Sequence, residues 1–282
     1  MNEALNLLFG EGWVLWLTVL VFSLAIGSFL NVVIHRVPRQ LLWAWDSSDN
    51  RGPKPPGVAW PGSHCPGCEH PLSWRDNLPI LSYALLRGRC RYCAQSISPR
   101  YPSTEALCAA LSLAVFAHFG LSLMTVTALF FTWFLLVLAF VDLEHFLLPD
   151  RFTMPLMAMG LVVNAYGGFI DLNSAMIGAA AGYLSLWLIF HAFRLLTGKE
   201  GLGYGDFKLL AAIGAWVGWQ LLPMVVLLSA GTGAIIGITM LITGRHKKGQ
   251  PLPFGPYLAG GGWLGLLYGE DLQRLYFSMI FQ

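Results

Sequence analysis

The sequence predicts an all-α polytopic membrane protein, with eight transmembrane helices and a small polar domain inserted between the first and the second. Three observations predict it. Of 282 residues, 56% are hydrophobic and only 11% charged, with a mean hydropathy of +0.60. An ordinary soluble domain is about 45–50% apolar and about 25% charged, so these few charges would not coat a globule of 31.0 kDa. Long apolar runs with 13% aromatics are the opposite of a disorder signature. The basic residues are also segregated: nine of the 17 Lys and Arg fall from Arg36 to Arg100, none precedes Arg36, and none lies between Arg100 and Arg151.

A spanning helix needs about 20 mostly apolar residues. The first such run covers residues 13–35. Glu3 and Glu11 and the lack of any earlier Lys or Arg argue against a cleavable signal peptide. Residues 37–103 are rich in Pro, Gly and polar side chains and hold four of the five cysteines. Further spans are expected near 104–120, 122–142, 152–169, 174–195, 207–220, 222–243 and 255–270. The chain thus divides into a first helix (1–36), a polar domain (37–103) and a membrane core (104–282).

Charge sets the expected orientation. With the N-terminus outside, the polar domain and the loops 143–151, 196–206 and 244–254 are cytoplasmic. Then 16 of the 17 basic residues lie on or beside the inside, as the positive-inside rule requires. Arg194 with Lys199, and Arg245, Lys247 and Lys248, point the same way without the long polar segment.

Two stretches interrupt the apolar pattern of the core: Asp142 to Asp150, and Gly201-Leu202-Gly203-Tyr204-Gly205-Asp206-Phe207-Lys208. Asp142 ends the third expected span and Asp206 begins the sixth, so both sit at the cytoplasmic edge of the bilayer. Ionisable groups at that depth are costly and mark functional sites or wet cavities. Two carboxylates that meet cannot both ionise easily; one activating water beside one that donates a proton is the chemistry of aspartic proteases. Gly201, Gly203 and Gly205 allow the backbone to turn sharply and approach a ligand closely. Helix ends also carry Asp for plainer reasons: Asp206 as a cap, Asp142 and Glu144 as interfacial groups, Asp150 as a cap after Pro149. A proton-coupled transporter would use the same pair, and residue spacing alone leaves these readings open.

Cys65-x-x-Cys68, a gap of 21 residues, then Cys90-x-x-Cys93 has the spacing of two knuckles forming one tetrahedral thiolate site. A domain of about 65 residues with so small an apolar core gains folding energy from a metal. A reducing cytoplasm disfavours disulfides, and structural Zn2+ is the expected occupant. His64 and His70 flank the first knuckle but are surplus to four thiolates. Cys108 reads as a buried small hydrophobe. Basic residues near the knuckles are expected to meet anionic lipid rather than nucleic acid. Asn31 and Glu105 are polar groups in apolar helices, readable as a buried network, and Arg36 is expected to snorkel. Lys208 has a carboxylate, a substrate carbonyl or a lipid phosphate as its candidate partners. Trp13, Trp16, Trp216, Trp219 and Trp263 read as interface belts.

Taken together, these motifs resemble the bacterial prepilin peptidases, polytopic aspartic proteases with a Gly-x-Gly-Asp motif. The resemblance is carried by Gly27-Ser28-Phe29-Leu30-Asn31-Val32-Val33-Ile34-His35-Arg36, by both Cys-x-x-Cys pairs and by Ile97-Ser98-Pro99-Arg100-Tyr101-Pro102-Ser103-Thr104-Glu105. It continues through Asp142 to Leu148-Pro149-Asp150 and Gly203-Tyr204-Gly205-Asp206-Phe207-Lys208. It implies that Asp142 and Asp206 are the catalytic aspartates. It also implies that the substrates are prepilins of type IV pili and pseudopilins of type II secretion, cut after a short basic leader at the cytoplasmic face of the inner membrane. Members with the cysteine domain also methylate the exposed N-terminal amine using S-adenosylmethionine, so both activities are expected. No glycine-rich nucleotide-binding turn marks a site for that methyl donor. For a basic leader the acidic candidates are Glu69, Asp76, Glu105, Glu144 and Asp150. The non-peptidase alternatives are the transporter and a noncatalytic scaffold docking through its zinc domain.

Overall fold

A computed structural model describes residues 12–48, 52–199, 201–244 and 252–280. The N-terminal stretch with Glu3 and Glu11, and the basic cluster Arg245, Lys247 and Lys248, lie outside the described residues. The chain forms two compact units, Met1–Thr125 and Val126–Gln282. The described residues are all-helical without strands; two isolated bridges, His64 with Pro71 and Arg89 with Ser96, are the nearest thing to a sheet.

In the first unit, α1 (Trp13–Trp45) packs against α3 (Arg100–Phe119), with the short α2 (Leu81–Leu85) between them in sequence. Gly27 makes the approach close: a Cβ there would lie 2.8 Å from the Cα of Glu105 and 3.0 Å from the Cβ of Cys108. Small residues bring helix backbones together in this way where lipid supplies no hydrophobic drive. Trp16 and Phe116 meet edge to face, 5.0 Å between ring centroids. Helix α1 runs ten residues past the expected end at His35 and includes Pro38. Arg36 explains part of that extension. It does not snorkel: it is 7% exposed, and its guanidinium donates to the carbonyls of Gly57 and Pro61 at 2.7 Å and of Gly62 at 3.1 Å. The loop after α1 is therefore tied back onto the helix.

The second unit holds most of α4 (Leu123–His145), then α5 (Asp150–Ala165), α6 (Leu172–Thr197), α7 (Tyr204–Val217), α8 (Leu222–Ile242) and α9 (Gly255–Ile280), with a 3-10 turn at Trp219–Leu221. Helix α7 is its axis. Phe207 and every residue from Leu209 to Val217 are buried, because apolar residues surround it on all sides and α5, α6 and α9 pack around it. Gly178 of α6 and Gly214 of α7 face each other with no room for a Cβ on either. Trp216 is fully buried and donates through Nε1 to the Leu156 carbonyl at 2.8 Å. It belongs to the core, not to an interface belt; Trp263 likewise turns inward to Thr132 Oγ1 at 3.1 Å.

Among the described residues, five helical segments are long and apolar enough to cross a membrane: α1, α3, α4, α6 and α8 together with the turn before it. The other three expected spans are also helical, but α5 has 16 residues, α7 has 14, and α9 is kinked at Tyr268. At 1.5 Å per residue, α7 spans roughly 21 Å, short of a hydrocarbon core about 30 Å thick.

Candidate active site and metal centre

The second unit brings the two interrupted stretches together. Asp142 stands in the last turn of α4 and Asp206 in the first turn of α7, each 6% exposed. Each carboxylate is held by a glycine amide. Asp142 Oδ2 accepts from Gly255 N–H at 2.9 Å, and Asp206 Oδ2 accepts from Gly203 N–H at 3.0 Å.

Helix α7 begins at Tyr204, three residues earlier than expected, which puts Asp206 at the third helical position with Gly203 as the cap. Its bond to the Gly203 amide is the returning half of a capping box. The plain reading of Asp206 is thus met in altered form: Gly203 is the cap, and Asp206 closes the first turn on its amide through one oxygen from the third helical position.

Leu148 joins the parts. A Cβ on Gly205 would sit 2.7 Å from the Cβ of Leu148, and one on Gly255 would sit 3.1 Å from Leu148 Cδ2. The glycine loop, the Leu148-Pro149-Asp150 turn and the start of α9 thus converge on one side chain. Lys208 also finds its partner here, donating to both carboxylate oxygens of Asp150 at 2.7 and 2.8 Å. Gly255 is the residue that sequence reasoning missed. Its signal was a glycine between Phe254 and Pro256 at the start of a span, a position where a free amide opens a helix.

The first unit brings the four cysteines together. All four sulfurs lie within 4.8 Å of one another, and Cys65 Sγ is 3.7 Å from Cys93 Sγ. None is in a disulfide. Two loops with one hydrogen-bond pattern carry them. Cys65 N–H donates to His70 O and Glu69 N–H to Cys65 O; twenty-five residues on, Cys90 N–H donates to Gln95 O and Ala94 N–H to Cys90 O. Glu69 and Ala94, at matching places, both have positive φ, 56° and 58°. Each loop closes with one of the isolated bridges.

The Cys68 and Gly67 amides point at the Cys65 sulfur and bring its thiol down to about 6. The Gln95 amide favours the Cys93 thiolate, but burial and the sulfurs of Cys68, Cys90 and Cys65 push it up to about 12. Four sulfurs so arranged suit a thiophilic divalent ion, which binds thiolates and displaces their protons. The histidines stand apart: His70 stacks on Tyr92 at 3.6 Å, and His64 points its Nδ1 toward Gly62 O at 3.4 Å. Asp76 is also committed, accepting from Arg91 Nε at 2.7 Å and Ser73 Oγ at 2.6 Å, contacts that hold its carboxyl below the usual range. Asn31 donates to Tyr101 O at 3.0 Å, and Glu105 Oε2 accepts from Ile80 N–H at 2.7 Å.

Comparison with known proteins agrees with this division. The family described as Bacterial Peptidase A24 N-terminal domain matches residues 21–119, and the Type IV leader peptidase family matches residues 129–238. A prepilin leader peptidase/N-methyltransferase of Aeromonas hydrophila is 50% identical over 99% of both chains. Proteins of the same name from Stutzerimonas stutzeri and Pseudomonas aeruginosa are 46% and 44% identical, each over 92% of this chain and 93% and 92% of their own. No solved structure matches the chain.

Proposed function

Because this chain belongs to the type IV leader peptidase family, it is a leader peptidase with N-methyltransferase activity, and we propose that Asp142 and Asp206 are its catalytic pair. The observation that carries the proposal is two buried carboxylates, each fixed through one oxygen by a glycine amide, at helix ends that converge on the side chain of Leu148. One carboxylate takes a proton from the water that attacks the scissile carbonyl; the other gives a proton to the departing amine. The pair titrates as a unit, so neither role is assigned to one member. Fixed amides hold both groups in place before substrate arrives, and burial keeps bulk water from competing.

The substrates are prepilins and pseudopilins, whose basic leader and following apolar helix suit a site at the cytoplasmic edge of the inner membrane. In this reading the chain crosses the bilayer eight times with its N-terminus outside. Helices α5, α7 and α9 complete the count, the short α7 enclosed by its neighbours. Residues 1–36 form the first span, 37–103 the cytoplasmic zinc domain, and 104–282 the peptidase core. Cys65, Cys68, Cys90 and Cys93 hold Zn2+ as a closed structural site. S-adenosylmethionine supplies the electrophilic methyl group that the newly freed N-terminal amine accepts.

The transporter reading has no relative to support it, whereas proteins matched end to end carry a peptidase name. The test is cleavage of a purified prepilin by wild type, Asp142→Asn and Asp206→Asn in detergent, with labelled S-adenosylmethionine present. Wild type should shorten the substrate and label its new N-terminus. Each variant should lose cleavage by about a thousandfold or more, the scale of a lost acid or base. Full cleavage by either variant sinks the pair.

A further inference from the structure

The first unit encloses a cavity of about 550 Å3, walled by α1 from Ser28 to Arg39, by α2, by the start of α3 and by both knuckle loops. Its size falls within the range that holds small organic ligands, about 300–1,000 Å3. Two wall groups define what it would accept. Glu105 is a carboxylate on a residue 7% exposed; one oxygen takes the Ile80 amide, and Ser28 also bonds the group. Asn31 is 4% exposed; its Nδ2 is spent on Tyr101 O, while its Oδ1 has no partner among the described residues.

A buried acceptor without a donor is costly, and a buried carboxylate seeks positive charge. The wall also holds the basic residues His35, Arg36, Arg39, His64 and Arg91, but Glu105 bonds only Ile80 and Ser28 among the described residues, and the Arg36 guanidinium is committed to three backbone carbonyls. Asp76 is likewise occupied by Arg91. The unmet demand is for a cation that also carries N–H donors. Tyr83 and Tyr101 add aromatic surface to the same wall, suited to a flat heterocycle or a cationic centre.

We propose that this cavity is the S-adenosylmethionine site, with Glu105 opposite the ligand's positive charge and Asn31 Oδ1 accepting from one of its N–H groups. The inference rests on the reading that this donor serves the methyl transfer. It explains why no glycine-rich turn is needed: the site is built from the inner part of α1 and from α3, braced by the knuckles.

Two measurements test it on the full chain in detergent. The first is equilibrium binding of tritiated S-adenosylmethionine to wild type, Asn31→Ala and Glu105→Gln, with bound zinc and a monodisperse profile as controls of folding. The second is ultraviolet photolabelling of wild type with the same ligand, followed by peptide mapping, which does not depend on any variant folding. The expected result is saturable binding, weakened about tenfold or more in each variant, with label confined to residues 28–105. If wild type binds no S-adenosylmethionine, the donor reading falls and this site with it. If wild type binds but folded variants bind equally well, or the label maps to 126–282, the site is overturned and the donor reading stands. Binding lost equally to a lysine-rich peptide competitor, with no label in 28–105, would assign the cavity to a basic peptide instead.

Discussion

The four-cysteine cluster and the paired aspartates both gather residues distant in sequence, but they do so by opposite means. Each cysteine pair rides on a loop of eight residues that closes on itself through its own backbone bonds, and the second loop repeats the first bond for bond. The aspartates have no such loop. Asp142 depends on an amide 113 residues away, and Asp206, though bonded to the Gly203 amide three residues before it, is set against the Leu148 turn by the packing of Gly205. Local loops need something to bind them to each other, whereas helix ends are placed by the packing of the whole unit. The metal centre should therefore fail through its ligands, and the aspartate site through the backbone around it.

The largest effect should come from the cysteines. Replacing the two buried ones, Cys65 and Cys90, by Ser removes half the sulfur ligands and strands the two loops. Structural zinc contributes on the order of 10 kcal/mol in small domains at neutral pH, so loss of the ion should unfold the knuckle region rather than loosen it. Metal content by mass spectrometry should fall to zero, and protease should cut within residues 60–97 in the variant alone. A variant that keeps its fold without metal would show that the Arg36 anchor and the loop bonds suffice.

A smaller effect is expected at Gly255. A Cβ there would lie 2.7 Å from Asp142 Oδ2, so Gly255→Ala must push the start of α9 away or turn the carboxylate. Either change breaks the 2.9 Å bond from its amide. Losing one bond to a buried carboxylate costs about 1.5–3 kcal/mol, or about ten- to a hundredfold in cleavage rate. Metal content should stay at the wild-type value, and the unfolding midpoint should fall by only a few degrees. Unchanged cleavage would mean that the amide is ornamental to Asp142.

The difference between the two regions also decides what could be read beforehand. Cys65, Cys68, Cys90 and Cys93 stand out because ligand spacing is a local property, and Asp142 and Asp206 because a charge in an apolar run is visible without a fold. Gly255 showed only as a glycine before proline at the start of a span; its partner was hidden, because an amide contact across 113 residues is beyond any spacing rule. Trp216 misled for a related reason, since hydropathy reports that a ring avoids water but not whether lipid or Phe131 and Leu156 replaces it. The same blindness hid the Arg36 anchor, where three carbonyls of an irregular loop, not a charge partner, satisfy the guanidinium. Helix positions were legible along the core, while helix ends were not, because α1 continues as long as its loop is tied down.

The smallest effect should be at the pair formed by Lys208 and Asp150. Its bonds are short, but the side chains are 29% and 58% exposed, and water and salt screen such pairs. Exposed ion pairs contribute about 0.2–1 kcal/mol, so Lys208→Gln should slow cleavage by no more than about fivefold. The residual loss should vanish at high salt and be recovered when the charges are exchanged in Asp150→Lys with Lys208→Asp. That outcome would make the pair a strap between the Leu148 turn and the start of α7. A loss of a hundredfold that the exchange does not repair would place Lys208 on the substrate. The aspartate site would then depend on a side chain as directly as the metal centre does, and the contrast between the two regions would fail.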